Sequence, residues 1–247
     1  MRPTVLVIGG TDSSGGAGVT RDMRTLADLE IIGVAAITAI TAQTNTQVQS
    51  IHCLSPGLIQ DQIATALASN VVNAIKIGML GTREAVEAVV ASLPLRSEMP
   101  IVLDPVLAAS SGRALLDEEG RIALVEKLLP RVTVVTPNIP EAALLLGEPV
   151  AHNDAALTLY GMRLLQDGAG AVLIKGGHAE GDEAVDLLMT APRQVVKLRS
   201  PRLPGTLRGT GCALASAIAA GLARDRPLVT ACRDAKHYVA SQFDAAL

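Results

Sequence analysis

The sequence is nearly free of aromatic side chains: it has two Tyr, one Phe and no Trp among 247 residues. Proteins that bind single-stranded nucleic acid rely on aromatic platforms for base stacking, so this sequence disfavours that function. An excess of positive charge is also missing, because 21 Lys and Arg face 24 Asp and Glu and the formal net charge is −3. A partner with a phosphate backbone is therefore not expected.

Cysteine is scarce as well, with Cys53, Cys212 and Cys232 far apart in the chain. An odd number at such spacing fits neither a disulfide framework nor a zinc site, and it indicates a reducing compartment. The apolar run at residues 5–8 is too short for a signal peptide. The longest run of small apolar residues, 213–223, is well below the roughly 20 residues of a membrane span. We therefore expect a cytoplasmic protein.

What the sequence has in quantity is aliphatic residues, and strand-like segments alternate with helix-like segments along the chain. Strands are predicted at residues 5–8, 34–40, 48–53, 74–77, 101–103, 132–135, 171–174, 184–189 and 195–198. Helices are predicted at residues 18–29, 58–68, 83–92, 121–129, 140–146, 157–166, 211–222 and 229–242, with N-caps at Thr82, Asp117 and Asn153. Several strands are continuously apolar, which is typical of strands covered by helices on both faces. We predict one domain, residues 1–247, built as a three-layer α/β/α sandwich around a mostly parallel sheet.

Two glycine-rich segments precede predicted helices. Residues 9–18 match neither a Walker A nor a GxGxxG motif, and the absence of any Gly-Lys pair excludes a P-loop. Near the C-terminus, Thr210 stands between two glycines at the start of an Ala-rich helix. Backbone amides and the helix dipole would form an anion hole there. Cys212 lies in the first turn, where the dipole is expected to lower the thiol pKa and prepare a general base; the alternative is a small buried Cys.

Polar residues follow several predicted strands, which is where ligands bind in parallel α/β sheets. Asp104, Asn138 and Glu141 offer oxygen ligands of the kind that Mg²⁺ with a nucleotide prefers. Lys175 follows a strand beside two glycines and could reach a phosphate. The alternatives are an N-cap for Asn138, a solvated helix face for Glu141 and a surface loop for Lys175. Met79 could line an apolar pocket or belong to the core.

Eight short motifs, in order along residues 10–212, resemble the hydroxymethylpyrimidine/phosphomethylpyrimidine kinases of thiamine biosynthesis, which belong to the ribokinase-like superfamily. The motifs are GTDSSGGAG, TAQ, KIGML, LDPV, SGRALL, TPNIPEA, LIKGGH and GTGC. The resemblance implies transfer of a phosphoryl group from ATP, with Mg²⁺, to a hydroxymethylpyrimidine and then to its monophosphate. It also implies a homodimer.

The resemblance assigns a role to each of thirteen residues. Cys212 would be the catalytic base, and Gly209, Thr210 and Gly211 would complete the anion hole. Lys175, with Asn138 and Thr210, would bind the nucleotide phosphates, and Asp104 and Glu141 would organise Mg²⁺. The pyrimidine would be bound by Gly10, Asp22, Gln43, Met79 and Val106.

Four positions depart from the pattern of the family. Ser13 stands where the family often has Pro, Thr44 where Asn is usual, Ser110 where Lys is common, and Arg208, after Leu207, where His is usual. Two other functions therefore stay open: a pyridoxal kinase of the same superfamily, and a catalytically weak pyrimidine sensor. Gln43 favours a pyrimidine, because its amide can both donate and accept hydrogen bonds. Arg208 could supply a replacement positive charge.

Overall fold

The computed structural model describes residues 2–94, 99–109, 111–176, 183–190, 194–202, 205 and 207–244. Its strands are β1 Thr4–Gly9, β2 Ile32–Ile37, β3 Ala39–Gln43, β4 Val48–Cys53, β5 Val72–Ile77, β6 Ile101–Leu103, β7 Val134–Val135, β8 Ala171–Ile174, β9 Glu183–Thr190 and β10 Gln194–Pro201. Its α-helices are α1 Gly18–Asp28, α2 Pro56–Ser69, α3 Arg83–Ser92, α4 Glu118–Ala123, α5 Ile139–Leu146, α6 Asp154–Gln166, α7 Thr210–Leu222 and α8 Leu228–Asp244. Among these residues no helix combines the length and apolar character needed to cross a membrane.

Eight strands form one sheet in the order β10-β9-β8-β7-β6-β5-β1-β2. All pairs from β2 to β8 are parallel, and β9 and β10 add an antiparallel edge. Alternate residues of β1 point to opposite faces, so that Leu6 and Ile8 pack in one apolar layer while Val5 and Val7 pack in the other. Burial on both faces explains why these strands read as continuous apolar runs. The predicted α/β/α fold is confirmed.

The prediction of a single strand over residues 34–40 is wrong. The chain leaves the main sheet at Thr38, and β3 pairs with β4 in a separate two-stranded hairpin. Thr38 fixes the crossing, because its amide donates to Gly9 O at 3.0 Å and its hydroxyl donates to Met79 O at 2.6 Å. The apolar and β-branched run continues across this point, so its composition does not reveal the change of sheet.

Side-chain caps fix several helix starts as the sequence predicts. Thr82, Asp117, Asn138 and Asn153 each accept a hydrogen bond from a backbone amide of the first turn. The helix predicted at 121–129 begins earlier than expected, at Glu118, and continues as a π-turn over Leu124–Leu128 and a 3₁₀ turn over Leu129–Arg131.

Candidate active site

A cavity of about 930 Å³ opens at the carboxyl edge of the sheet. The parallel strands β1, β5, β6, β7 and β8 all end there, as ligand sites in open α/β sheets require. The structure brings every predicted site residue to its wall: Gly10, Asp22, Gln43, Met79, Asp104, Val106, Asn138, Glu141, Lys175, Gly209, Thr210, Gly211 and Cys212. Their individual roles stay predictions. Gly177 and His178 of the LIKGGH motif, and Ser110, which departs from the family pattern, lie outside the described residues.

The start of α7 has the geometry expected of an anion hole. Gly209 has φ 71°, in the left-handed region that favours glycine, and no side chain among the described residues caps the helix. The first backbone amides of α7 are therefore left for a ligand, next to the positive end of the helix dipole. A Cβ on Gly209 would collide with Gly16 O, and one on Gly211 would lie 3.2 Å from Lys175 Nζ. Gly209 thus allows close packing of the helix start against the loop after β1, and Gly211 keeps a narrow space open opposite Lys175.

Cys212 lines this space, and its thiol lies near the Gly18 amide and the Asp104 carboxylate. The prediction that the helix start lowers its pKa is wrong. Burial raises the pKa of the thiol to about 12; Lys76 and the Gly18 amide lower it, but Asp22 and Asp104 raise it further. The sequence places Cys212 at a helix start and so indicates the effect of the helix dipole. It does not indicate the burial of the thiol or its two carboxylate neighbours, because these depend on other elements of the fold.

Lys175 lies between the two carboxylates that were predicted to organise a metal. Its Nζ is 2.9 Å from Asp104 Oδ1 and 3.6 Å from Glu141 Oε2. Burial lowers the pKa of Lys175, but the carboxylates raise it by more, so the ammonium form persists. Burial also raises the pKa of Asp104, yet Lys175 and Lys76 bring it below its usual value. The pKa of Glu141 is raised, chiefly by burial.

Asn138 and Glu141 form a capping box at the start of α5. Asn138 Oδ1 accepts from the Glu141 amide at 2.8 Å, and Glu141 Oε2 accepts from the Asn138 amide at 2.7 Å. The capping alternative for Asn138 is therefore confirmed. Glu141 does not lie on a solvated face, because its side chain is only 13% exposed and turns towards Lys175.

The donor set fits a Mg²⁺ ion that a nucleotide brings with it. Within the described part of the chain, no group of three or more His, Cys, Asp or Glu side chains is arranged to hold a metal. Asp104 and Glu141 offer carboxylates beside Lys175. Mg²⁺ commonly keeps its waters and takes one or two carboxylates together with substrate phosphates, which is the arrangement that these residues allow.

Lys76 is a buried site residue that the sequence reasoning missed. It is 1% exposed, and its Nζ lies 2.8 Å from Asp22 Oδ2. Ser216 of α7 donates to the other carboxylate oxygen of Asp22 at 2.8 Å. A Cβ on Gly78 would lie 2.8 Å from Lys76 Nζ, which explains the glycine there. The signal was available in the sequence: a lysine inside the otherwise apolar end of β5.

The other end of the cavity has an apolar wall. Met79 packs with Ala39 and Leu115, and Val106 lies against this cluster. A Cβ on Gly10 would come within 2.9 Å of Met79 Sδ, so the backbone approaches the thioether as closely as glycine allows. Gln43, at the end of β3, adds a polar group to this wall. A planar ring with one polar edge suits such a surface.

Two of the departures from the family pattern lie at this end and make specific contacts. The Ser13 hydroxyl accepts a hydrogen bond from the backbone N–H of Gln43 at 2.8 Å and donates one to the backbone carbonyl of Gln43 at 2.9 Å. Arg208 Nη1 donates to Ser14 Oγ at 3.0 Å and to Thr44 O at 3.0 Å. Arg208 therefore ties the segment before the anion hole to the loop after β1 and to the β3–β4 turn. Sequence spacing gave no sign of these contacts.

A mostly parallel sheet covered on both faces, with an uncapped helix start facing a lysine at its carboxyl edge, matches the fold and site of ribokinase-like small-molecule kinases. The sequence model of the phosphomethylpyrimidine kinase family matches residues 12–247. A hydroxymethylpyrimidine/phosphomethylpyrimidine kinase of Rhizobium meliloti (strain 1021) is 40% identical over 247 residues, which cover 100% of this chain and 92% of the relative. The chain belongs to the phosphomethylpyrimidine kinase family, as its motifs predict.

Solved structures of two kinds of kinase share the fold. The crystal structure of phosphomethylpyrimidine kinase from Clostridium difficile 630 has a TM-score of 0.83 at 33% identity, and the match covers 98% of this chain and 99% of that one. Pyridoxal kinase from Staphylococcus aureus, in complex with AMP-PCP and pyridoxal, has a TM-score of 0.87 at 30% identity, covering 98% and 87%. Fold similarity alone thus does not separate the two substrate rings.

Proposed function

We propose that this protein is an ATP-dependent kinase of thiamine biosynthesis. It phosphorylates the hydroxymethyl group of 4-amino-5-hydroxymethyl-2-methylpyrimidine and then the resulting monophosphate. The observation that carries the proposal is the shared cavity of Cys212, the open start of α7 and Lys175. In phosphoryl transfer, catalysis comes mostly from positioning and from stabilising the charge on the transferring group, and these are the parts needed for both.

The phosphate end of the site consists of the α7 start and the ammonium of Lys175. Lys175 is held by Asp104 and Glu141 within 4 Å, so its charge points at the open glycines of α7 rather than into solvent. Amides that are fixed in advance stabilise developing negative charge without reorganising, and losing one such donor typically costs about 10²–10³ in kcat. Mg²⁺, bound through nucleotide phosphates beside Asp104 and Glu141, would neutralise part of the same charge.

Cys212 is the proposed base for the attacking hydroxyl. In the free chain the raised pKa keeps its proton on sulfur. That proton must leave before the sulfur can accept one from the substrate. The thiol proton therefore passes to solvent, and the ammonium of Lys76 favours the thiolate that then accepts the hydroxyl proton. Cys212→Asp should retain some activity, because a carboxylate can accept the same proton.

Pyridoxal is the second candidate acceptor, because the chain is similar to a pyridoxal kinase whose solved structure is a complex with pyridoxal. An ATP-consumption assay with both rings decides between them. We expect faster turnover of the aminopyrimidine, and a clear preference for pyridoxal would overturn the assignment. Binding of the pyrimidine without turnover would instead indicate a sensor.

The proposal also includes a homodimer in the cytoplasm. Strand β2 forms an edge of the main sheet and exposes Ile32, and the neighbouring β3–β4 hairpin exposes Ile40. Such surfaces are consistent with burial against a second copy. Light scattering after size exclusion tests the dimer directly; a mass near 25.5 kDa would contradict it.

A further inference from the structure

The loop after β1 holds the side chain of Gln43 in one orientation. Asp12, only 5% exposed, accepts from Gln43 Nε2 at 3.2 Å through its Oδ2 atom. The same oxygen accepts from Arg208 Nη2 at 3.3 Å, and Asp12 Oδ1 accepts from the Ser14 amide at 2.8 Å. Asp12 is therefore surrounded by donors on both oxygens.

These contacts decide which end of the Gln43 amide faces the ligand. An ionised carboxylate can only accept hydrogen bonds, so the group that faces Asp12 must be the NH₂ and not the carbonyl oxygen. Gln43 Oε1 has no hydrogen-bond partner among the residues that the structure describes, and Gln43 lines the cavity. The amide thus offers an acceptor, with one remaining N–H beside it.

The backbone of Gln43 is fixed as well. Its backbone N–H and its backbone carbonyl both form hydrogen bonds with the Ser13 hydroxyl, at 2.8 and 2.9 Å. The pairing of β3 with β4 shifts register between Ala42 and Gln43, an irregularity of the kind that re-aims a side chain. Position and orientation are therefore both set before any ligand binds, which reduces the entropy cost of recognition.

We propose that Asp12 is a positioning residue. By fixing the Gln43 side-chain amide, it makes the site select rings according to the hydrogen-bond donors and acceptors along one edge. With Oε1 exposed and an N–H next to it, Gln43 matches an amino group adjacent to a ring nitrogen, as glutamine matches adenine. A ring that carries an oxygen at the amino position would face Oε1 with a second acceptor. The inference rests on the proposed function, since it names the feature of the pyrimidine that the site reads.

The test compares 4-amino-5-hydroxymethyl-2-methylpyrimidine with its 4-oxo counterpart, which differs in that one group. The measurements are kcat/KM with MgATP and, independently of turnover, the Kd by calorimetry. The wild type should prefer the amino ring on the order of 10- to 100-fold, which is the effect of leaving one buried polar group unpaired. Asp12→Asn keeps the size and the Oδ1 acceptor but allows the Gln43 amide to turn. It should lower the preference by about tenfold or more.

Arg208→Met is the matched control, because it removes the other donor to Asp12 Oδ2 and leaves the Asp12–Gln43 bond. Its preference should stay within about threefold of wild type. If Asp12→Asn alone fails to fold, the double variant Asp12→Asn with Arg208→Met is used instead, because it removes the cation that the new side-chain amide at position 12 would face. This double variant should show the same loss of preference for the amino ring. An unchanged preference in folded Asp12→Asn overturns the inference, as does equal binding of both rings by the wild type.

Failure of the proposed function looks different. In that case the wild type would bind the amino ring selectively by calorimetry yet transfer no phosphate to it, and the positioning role of Asp12 would still be supported by the Kd values.

Discussion

The buried ion pair of Lys76 and Asp22 leads to a quantitative prediction. Both side chains are 1% exposed and their charged atoms are 2.8 Å apart. Removing one partner of such a pair leaves an uncompensated charge and costs about 3–5 kcal/mol. We expect Lys76→Met to lose this much free energy of unfolding near pH 8. Ser216, which also bonds to Asp22, is neutral and cannot replace the cation.

The cost should depend on pH in a defined direction. Burial raises the pKa of Asp22 even with Lys76 present, and loss of the lysine removes an interaction that lowers it. A carboxyl group with a raised pKa in the folded state stabilises the fold at low pH, and this stabilisation is lost as the pH rises through the folded-state pKa. The variant should therefore lie closer to wild type at about pH 5 than at about pH 8.

Thermal unfolding measures the effect. For a chain of this length, 1 kcal/mol shifts Tm by about 2–4 °C, so Lys76→Met should melt roughly 6–20 °C below wild type near pH 8. Adding Asp22→Asn should restore most of the loss, because no unpaired charge remains. The control is Arg226→Met, which breaks a half-exposed pair with Asp234 at 3.0 Å and should cost about 1 kcal/mol at most. A Tm of Lys76→Met within about 2 °C of wild type would show that the buried ion pair does not have this effect on stability.

Three further predictions concern the phosphate end of the site. Cys212→Ala should lower kcat by about 10²–10⁴ with little change in Tm, because it removes a general base; an unchanged kcat in steady-state assays contradicts that role. The rate of Cys212 alkylation by iodoacetamide can be followed by peptide mass spectrometry. Because burial raises the thiol pKa to about 12, this rate should still rise about tenfold per pH unit above pH 9. A rate that levels off at lower pH argues against the effect of burial. Gly211→Ala should reduce kcat by about 10²–10³, because its methyl group would lie 3.2 Å from Lys175 Nζ in the anion hole. Gly57→Ala, where a methyl group meets nothing within 4 Å, is its control, and equal activity of the two variants would sink the idea.

The layers of the fold follow from the sequence because its pattern is local and repeated. Continuous apolar strands such as β1 and β8 alternate with capped helices, and a doubly covered sheet is the architecture that buries both faces. The hairpin was not predicted, since the chain leaves the main sheet at Thr38 through two long-range hydrogen bonds to Gly9 and Met79. These partners are distant in sequence, so the residues that surround Thr38 in the chain do not indicate them.

The membership of the site was predictable for a similar reason, and its electrostatics were not. Asp104 and Lys175 each follow a parallel strand, and topology brings such ends together. The pKa of Cys212 depends on burial and on Lys76, Asp22 and Asp104, which come from β5, α1 and the end of β6. The contacts of Arg208 span more than 160 residues to Thr44. Effects of this kind emerge only when distant segments are assembled.

Cys212, the open start of α7 and Lys175 should act together on a hydroxymethylpyrimidine. Mass spectrometry can follow the products formed from 4-amino-5-hydroxymethyl-2-methylpyrimidine and excess MgATP. We expect the monophosphate first and the diphosphate later, with both strongly reduced in Cys212→Ala. A folded wild-type protein that leaves the pyrimidine unphosphorylated would contradict this expectation.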